Sequence, residues 1–121
     1  MTAESAALGR QGEALAERHM ARLGARVLAR NYRCPFGEAD LVVDHDGDLV
    51  AVEVKTRRPG SVGLPEEAVG RAKRNRLERV LACFSAERGI AGKGWRIDVV
   101  AVELAPDGSL HRLEHIRDAA S

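Results

Sequence analysis

Aromatic residues are scarce in this chain of 121 residues, which contains one Trp, one Tyr and two Phe. A hydrophobic core must therefore be built mainly from aliphatic Leu, Val, Ala and Ile. The chain also lacks an apolar run near the ~18 residues of a membrane span, and its N-terminus lacks the hydrophobic region of a signal peptide. We therefore expect a cytoplasmic, non-membrane protein with a single domain over residues 1–121, frayed from about residue 117.

The chain also has few cysteines and almost no net charge. The two cysteines, Cys34 and Cys83, lack the spacing of metal ligands, and this favours free thiols over a disulfide. Lys and Arg together number 19 and Asp and Glu 18, so the formal net charge is only +1. Net charge therefore gives no support for a nucleic-acid partner, and any basic surface must be a local one.

The spacing of apolar residues predicts seven elements in the order α-β-β-β-α-β-β. A first helix spans about residues 4–23, with Leu8, Gly12, Leu15, Ala16, His19 and Leu23 on its apolar stripe and Gly24 at its end. Gly9 and Gly12 suggest that this helix approaches a sheet closely. A second helix runs from Pro65 to about Arg88. Strands are predicted at 25–32, 38–44, 49–56, 95–104 and 110–116, which indicates a layered α/β domain.

A charged hairpin is the most informative segment. Asp46-Gly47 lies between two apolar runs, and Asp-Gly in this setting predicts a two-residue hairpin turn. Counting pairs outward from the turn places Asp40 opposite Glu53. Directly opposed residues have Cβ atoms about 4.5–5.5 Å apart, and period-two alternation puts Lys55 on the same face as Glu53.

Two facing carboxylates require a positively charged partner. Burying an ionised group costs several kcal/mol unless the group is paired or binds a metal. Asp40 and Glu53 therefore predict a divalent cation site, and their oxygen donors suit Mg²⁺ or Mn²⁺. Taken alone, Glu-x-Lys on a strand is a common pattern, and a surface ion pair of Lys55 with Glu53 or Glu38 explains it as well.

The order of these motifs resembles that of a known group of nucleases. Asp40, followed across a hairpin by Glu53-Val54-Lys55 and preceded by a helix with Glu13, is similar to the D-(D/E)xK motif of the restriction-endonuclease-like superfamily. More closely, the chain resembles the YraN-like family of small bacterial candidate endonucleases. The matching segments are residues 9–16, 31–33, 37–41, 52–57, 73 and 96–99. Archaeal Holliday-junction resolvases are similar in a looser way.

This resemblance implies a fold and a set of catalytic roles. The fold is α/β, with a restriction-endonuclease-like α-β-β-β-α-β core whose central mixed sheet is flanked by helices. Asp40, Glu53 and the backbone carbonyl of Val54 would bind Mg²⁺ or Mn²⁺, and Glu13 would bind the metal through water or position a second ion. Lys55 would hold or help to deprotonate the attacking water. Glu13, Asp40, Glu53 and Lys55 are the expected catalytic residues.

Further charged residues surround this set. By the same register count Glu38 lies opposite Lys55, where it would pair with the lysine or tune it. Arg10, Arg57 and Lys73 are candidates for nucleic-acid binding through DNA phosphates. For any single charge of this kind, a solvated helix face is the preferred explanation.

Other polar and aromatic residues have structural explanations. Asp98 is expected to pair with an arginine inside the sheet, and His19 is expected to pack in the core. Tyr32 and Trp95 could stack on exposed bases, but packing is the preferred interpretation for both.

The resemblance implies a metal-dependent endonuclease that hydrolyses phosphodiester bonds of branched or double-stranded DNA, including recombination intermediates. It also implies a homodimer, because resolvase-like enzymes cleave two strands symmetrically. Two alternatives stay open. One is a nucleic-acid-binding module of the same fold without turnover, and the other is a homodimeric structural or adaptor protein.

Overall fold

The computed structural model describes residues 3–60 and 69–119. The elements are α1 (Ala3–Arg22), β1 (Arg26–Cys34), β2 (Gly37–His45), β3 (Asp48–Arg57), α2 (Arg71–Arg88), β4 (Gly94–Leu104) and β5 (Leu110–Ile116). Their order is the predicted one. Within the described ranges, neither helix has the length and apolarity that crossing a membrane requires.

The five strands form one mixed sheet in the order β1-β2-β3-β4-β5. Strands β3 and β4 are parallel, and the other neighbouring strands are antiparallel. Because parallel neighbours need a crossover connection, α2 lies between β3 and β4 in the chain. The prediction of an α/β fold with a central mixed sheet flanked by helices is confirmed.

Each face of the sheet is covered by one helix. On β3, Val50 and Val52 face α1 and pack in one hydrophobic cluster with the buried residues of that helix. Leu49 and Ala51 alternate with them and pack beneath α2. Among the described core residues, Phe84 is the one aromatic side chain, so the expected aliphatic core is confirmed.

The apolar stripe of α1 ends earlier than predicted. Ala16 and Met20 are fully buried, whereas Leu23 is 47% exposed. Leu23 follows the last helical turn, where Gly24 has a φ of 88° and its N–H donates to the carbonyl of Ala21. The predicted helix end at Gly24 is therefore confirmed, and the placement of Leu23 in the core is wrong.

Gly12 allows α1 to approach the sheet closely. A Cβ atom added at Gly12 would collide with the side chain of Thr56 near the end of β3. A Cβ atom at Gly9 would meet open space. The predicted close approach is confirmed at Gly12 and wrong at Gly9.

Helix α2 begins later than the sequence predicted. Gly70 has extended backbone (φ −91°, ψ −178°), and the helix starts at Arg71. A single helix from Pro65 to Arg88 is therefore wrong at Gly70, a residue that disfavours helical backbone. The predicted start at Pro65 itself lies outside the described residues. The predicted end is correct, because Gly89 closes the helix with a φ of 65°.

The segment after β5 remains attached to the sheet. We expected fraying from about residue 117, but the Asp118 N–H donates to the Asp98 carboxylate at 3.0 Å. The Ala119 N–H donates to the Ile97 carbonyl at 2.8 Å. Strand β4 therefore holds the chain as far as Ala119.

The two cysteines are free, as predicted. Cys34 ends β1 and Cys83 lies on α2. A hydrogen bond with Cys34 is the main cause that raises the pKa of the Cys83 thiol. The two thiols are thus neighbours across the packing of α2 on β1.

Candidate functional site

The β2–β3 hairpin has the predicted register. Its turn residues, Asp46 and Gly47, have φ values of 52° and 81°, as a two-residue turn that matches the twist of the strands requires. The ladder of paired residues runs from this turn to Leu41 and Val52. The acidic residues of the candidate site come next along both strands.

Beyond this ladder, the Asp40 side chain binds the backbone of β3. Its Oδ2 accepts a hydrogen bond from the Val54 N–H at 2.8 Å. That amide nitrogen is bonded to the carbonyl carbon of Glu53. The Asp40 carboxylate therefore lies directly beside the Glu53-Val54-Lys55 segment, although the two parts of the motif come from different strands.

A cleft of about 310 Å³ opens beside Asp40 under the first half of α1. Its lining residues are Leu8, Gly9, Glu13, Asp40, Val54 and Thr56. Glu13 and Asp40 therefore border the same space. Glu13 also borders a second cleft of about 200 Å³, where Arg10 is on the wall.

Negative charge is concentrated at this cleft. Burial is the main cause that raises the pKa of Asp40 to about 6; the hydrogen bond from Val54 lowers it, and the charges of Glu53, Glu13 and Glu38 raise it. Burial also raises the pKa of Glu13, with a further contribution from Glu38. Carboxylates whose charged forms are disfavoured in this way are typical of sites that bind a cation or a proton.

Glu53 lies on the face of β3 that packs against α2. It continues the row of Leu49 and Ala51 on that face and is only 8% exposed. Its Oε1 lies 2.6 Å from the Nζ of Lys73. Lys73, predicted as a phosphate contact, is therefore the ion-pair partner of a predicted metal ligand.

Lys55 follows Glu53 on the same face by alternation and is half-buried. It forms no ion pair with any residue in the described part of the chain. The surface ion pair with Glu53 or Glu38, which could have explained the Glu-x-Lys pattern, is thus not formed.

Glu38 pairs with a residue of β1, the neighbour of β2 on the side opposite β3. Arg33 lies opposite Glu38 in the β1–β2 ladder, and its Nε is 3.2 Å from the Glu38 carboxylate. The prediction that Glu38 pairs with Lys55 is wrong, because β1 supplies a cation at the directly opposed position. Arg57 is the last residue of β3, two positions after Lys55.

The carboxylates fit a hard divalent cation by type and charge, but they do not form a closed cage. In residues 3–60 and 69–119, no three His, Cys, Asp or Glu side chains lie close enough together to hold one metal ion. Asp40 and Glu13 share the cleft, whereas Glu53 is bound by Lys73. All three offer oxygen donors, which Mg²⁺ and Mn²⁺ prefer. Joint ligation would require Glu53 to exchange its lysine for the cation.

A second polar group, which was not predicted from the sequence, lies beneath the end of α1. Arg96 and Asp98 are alternate residues of β4 and form two hydrogen bonds of 2.9 and 3.1 Å. His115 lies 2.8 Å from the same carboxylate and 3.0 Å from His19. Arg96 also contacts His45 at 2.7 Å.

This group is a structural network, as expected for Asp98. Burial raises the pKa of Asp98, but hydrogen bonds from His115, Arg96 and the Asp118 amide outweigh it and lower the pKa to about 2. The predicted pairing of Asp98 with an arginine is confirmed. Its i, i+2 spacing to Arg96 was the available signal, whereas nothing local to the sequence indicated the histidines. His19 is half-buried at the edge of this network.

Of the two aromatic residues considered as base-stacking candidates, Tyr32 is packed and Trp95 is exposed. Tyr32 packs edge-on against Phe84 with 5.1 Å between ring centroids, and its hydroxyl donates to Glu87 at 2.5 Å. Trp95 is 47% exposed. Packing is therefore confirmed for Tyr32 and wrong for Trp95.

Comparison with known proteins identifies the family. The model described as "Uncharacterised protein family UPF0102" matches residues 12–102. The chain belongs to UPF0102. This is the YraN family, so the predicted family is confirmed.

The UPF0102 relatives match along most of their length. The protein of Roseiflexus castenholzii is 44% identical over 117 residues, which cover 96% of this chain and 94% of the relative. That of Frankia alni is 47% identical over 113 residues, 93% of each chain. Among solved structures, SfsA of Pyrococcus furiosus in complex with Ca²⁺ is similar at 11% identity and a TM-score of 0.35, over 93% of this chain and 64% of that one. That score is too low for a conclusion.

The match to the UPF0102 model contains the four expected catalytic residues. Glu13 lies at its beginning, and Asp40, Glu53 and Lys55 lie within it. Strand β5, with His115, lies outside the matched range. Family membership implies a YraN-like protein of nuclease fold.

Proposed function

We propose that this UPF0102 protein is a metal-dependent endonuclease that hydrolyses phosphodiester bonds of DNA. The observation that carries the proposal is the 2.8 Å hydrogen bond from the Val54 N–H to Asp40. This bond brings an acidic residue of one strand against the Glu53-Val54-Lys55 segment of the next. Membership in UPF0102, with its implied nuclease fold, supports the same reaction class.

The state of Lys55 also supports the proposal. Carboxylates lie nearby, yet Lys55 has no ion-pair partner among the residues that the structure describes. Such an ammonium group, half-buried and unpaired within residues 3–60 and 69–119, is available to orient a water molecule. It can also offset the negative charge that grows on a phosphate during hydrolysis.

Asp40, Glu53 and the Val54 carbonyl would hold Mg²⁺ or Mn²⁺, with Glu13 on the facing wall of the cleft. The bound ion would supply Lewis-acid activation of water and positive charge beside the phosphate. The chain's own residues prepare this site. The Val54 N–H orients Asp40, and Lys73 forms an ion pair with the buried Glu53. Burial and, to a smaller extent, the neighbouring carboxylates raise the pKa of Asp40, and this supports a cation site because a bound cation would favour the ionised form.

Cleavage of defined DNA substrates tests the proposal. Linear, nicked, flapped and four-way DNA would be incubated with and without Mn²⁺, using wild type, Lys55→Ala and Asp40→Asn. We expect metal-dependent cleavage by wild type and a loss of about 100-fold or more in both variants. Lys93→Ala is the matched control, because Lys93 pairs with Asp44 near the hairpin turn and neither residue lines the clefts beside Asp40 and Glu13. Equal cleavage by wild type and Lys55→Ala would show that another nuclease is responsible.

The Lys73–Glu53 ion pair favours a second candidate function. Glu53 already has a cation at 2.6 Å, so the fold can satisfy this carboxylate without a metal. In that case the protein would be a nucleic-acid-binding module without turnover. Binding to forked DNA with no hydrolysis in either Mg²⁺ or Mn²⁺ would support this function over the first.

A further inference from the structure

We propose that a surface formed by Phe36, Arg76, Arg79 and Trp95 binds an unpaired strand of DNA, with bases stacked on the two aromatic rings. We call it the α2 surface. The inference rests on the proposed function in taking DNA as the substrate. It adds that the substrate includes a single-stranded segment, such as a flap or the arm of a fork.

The two aromatic rings of the α2 surface are exposed although aromatic residues are rare in this chain. Phe36 is 49% exposed in the β1–β2 turn, and Trp95 is 47% exposed at the start of β4. Arg79 lies between the two rings. Its guanidinium is 5.8 Å from the centroid of Phe36, and Arg79, Glu78 and Trp95 line one shallow cleft of about 290 Å³. The strand register places Trp95 level with Asp44, eight residues along β2 from Phe36, so a bound strand would need several nucleotides to reach both rings.

Positive charge is concentrated on α2. The helix carries six basic residues and two acidic ones, whereas the rest of the chain is net acidic. Lys73 and Arg74 are engaged by Glu53 and Glu78. Arg71 and Arg76 form no ion pair with the residues that the structure describes. The helix therefore provides the local basic surface that the small net charge of the whole chain conceals.

The α2 surface reaches toward the candidate site. Phe36 lies in the turn directly before β2, and Asp40 is the fourth residue of that strand, so the two residues are at most about 13 Å apart. Between them lies Gly37, which the Arg76 side chain covers so closely that an added Cβ would lie 3.0 Å from it. A strand that stacks on Phe36 would thus arrive within a few nucleotides of the carboxylates.

Aromatic rings beside arginines favour an unpaired strand over a duplex. A base can stack on a side chain only when its face is uncovered, and each stacked base contributes to binding without sequence preference. Arginines contact the phosphates that accompany those bases. A protein partner would use the apolar rings but would not require this excess of cations.

The single tryptophan of the chain makes the test direct. Trp95 fluorescence would be followed during titration with a short thymidine oligonucleotide in a chelating buffer, so that cleavage plays no part. We expect strong quenching and tighter binding of the single strand than of a duplex of equal length. Binding should weaken as salt rises, because phosphate contacts release counterions.

Variants assign the binding to the α2 surface. With a dye-labelled oligonucleotide, Phe36→Ala and Trp95→Ala should each weaken binding by about tenfold, as expected for loss of one stacked base. Arg79→Gln should reduce the slope of log affinity against log salt by about one. Leu110→Ala is the matched control, because Leu110 is 48% exposed but lies on β5. It should bind like wild type.

Three outcomes would overturn this inference. One is equal binding by Phe36→Ala, Trp95→Ala and Leu110→Ala. Another is duplex binding as tight as single-strand binding. The third is a change in Trp95 fluorescence with protein concentration alone, which would assign the surface to contact between copies of the chain. Binding in chelator without cleavage in any metal would instead reject the proposed function and leave this inference standing.

Discussion

Replacement of Asp40 by Asn should stabilise the metal-free protein at neutral pH. Burial and neighbouring carboxylates raise the Asp40 pKa from 3.8 to about 6, so folding disfavours its ionised form. A tenfold change in proton affinity corresponds to about 1.4 kcal/mol, so the full effect would be about 3 kcal/mol. Asp40 is partly exposed, and solvent screening reduces our expectation to about 1–2 kcal/mol. Asn retains an oxygen that can accept the hydrogen bond from Val54.

The pH dependence follows from the direction of the pKa change. Below pH 3.8 Asp40 is protonated in the folded and the unfolded chain, so the variant should have no advantage there. Stability of the wild type is lost as pH rises from about 4 to about 6, because the folded state must release a proton that it holds more tightly. The advantage of Asp40→Asn should therefore grow through this range and stay constant above it.

Urea unfolding in a chelating buffer, followed by circular dichroism at several pH values, measures this advantage. The matched control is Asp98→Asn, for which the sign is opposite. Hydrogen bonds lower the Asp98 pKa to about 2, so its charge stabilises the fold above pH 3.8 and that stability is lost as pH falls through about 2. We expect a loss of about 2–3 kcal/mol for Asp98→Asn at neutral pH. If Asp40→Asn were no more stable than wild type while Asp98→Asn behaved as expected, folding would not disfavour the ionised form of Asp40.

Three further predictions concern other contacts. Lys73→Met should lower the free energy of unfolding by about 1–3 kcal/mol in chelator, because it leaves a buried carboxylate unpaired. Mn²⁺ should then raise the melting temperature of this variant more than that of wild type, and an equal rise would contradict an exchange of lysine for metal. Gly12→Ala should destabilise by about 1–3 kcal/mol through its collision with β3, whereas Gly9→Ala should stabilise by up to about 1 kcal/mol in the same denaturation assay. Burial is the main cause that lowers the His19 pKa, with a further effect of the His115 charge. His115→Phe should therefore raise the His19 pKa in an NMR titration, and an unchanged value would reject this coupling.

The hairpin shows how much of the candidate site could be predicted from local chemistry. Asp-Gly fits a turn that needs positive φ at both positions, and the turn then fixes the register of every pair up to Leu41 and Val52. Adjacency of Asp40 to the Glu53 segment follows from that register. The register does not predict that the Val54 N–H donates a hydrogen bond to Asp40, because the pairing ladder ends before Asp40.

Residues far apart in the chain were harder to predict. Glu38 was assigned to Lys55 by counting within the hairpin, but Arg33 on the neighbouring strand is its partner. Lys73 was expected to contact phosphate, yet it lies against Glu53 because α2 crosses that face of the sheet. Both ion pairs involve an element outside the hairpin that supplies a cation, and the predicted contact of Lys73 with phosphate stays a prediction.

The sequence by itself determined the order of the elements, the turn of the hairpin, the two faces of β3 and the carboxylates that accompany Lys55. These features depend on the spacing of side chains and on backbone preferences over a few residues. Tertiary structure decided that Lys73 neutralises Glu53, that Lys55 has no partner in the described chain, and that Trp95 is exposed beside Arg79. Those outcomes depend on where α2 lies across the sheet, and only the packing of the whole domain fixes that position.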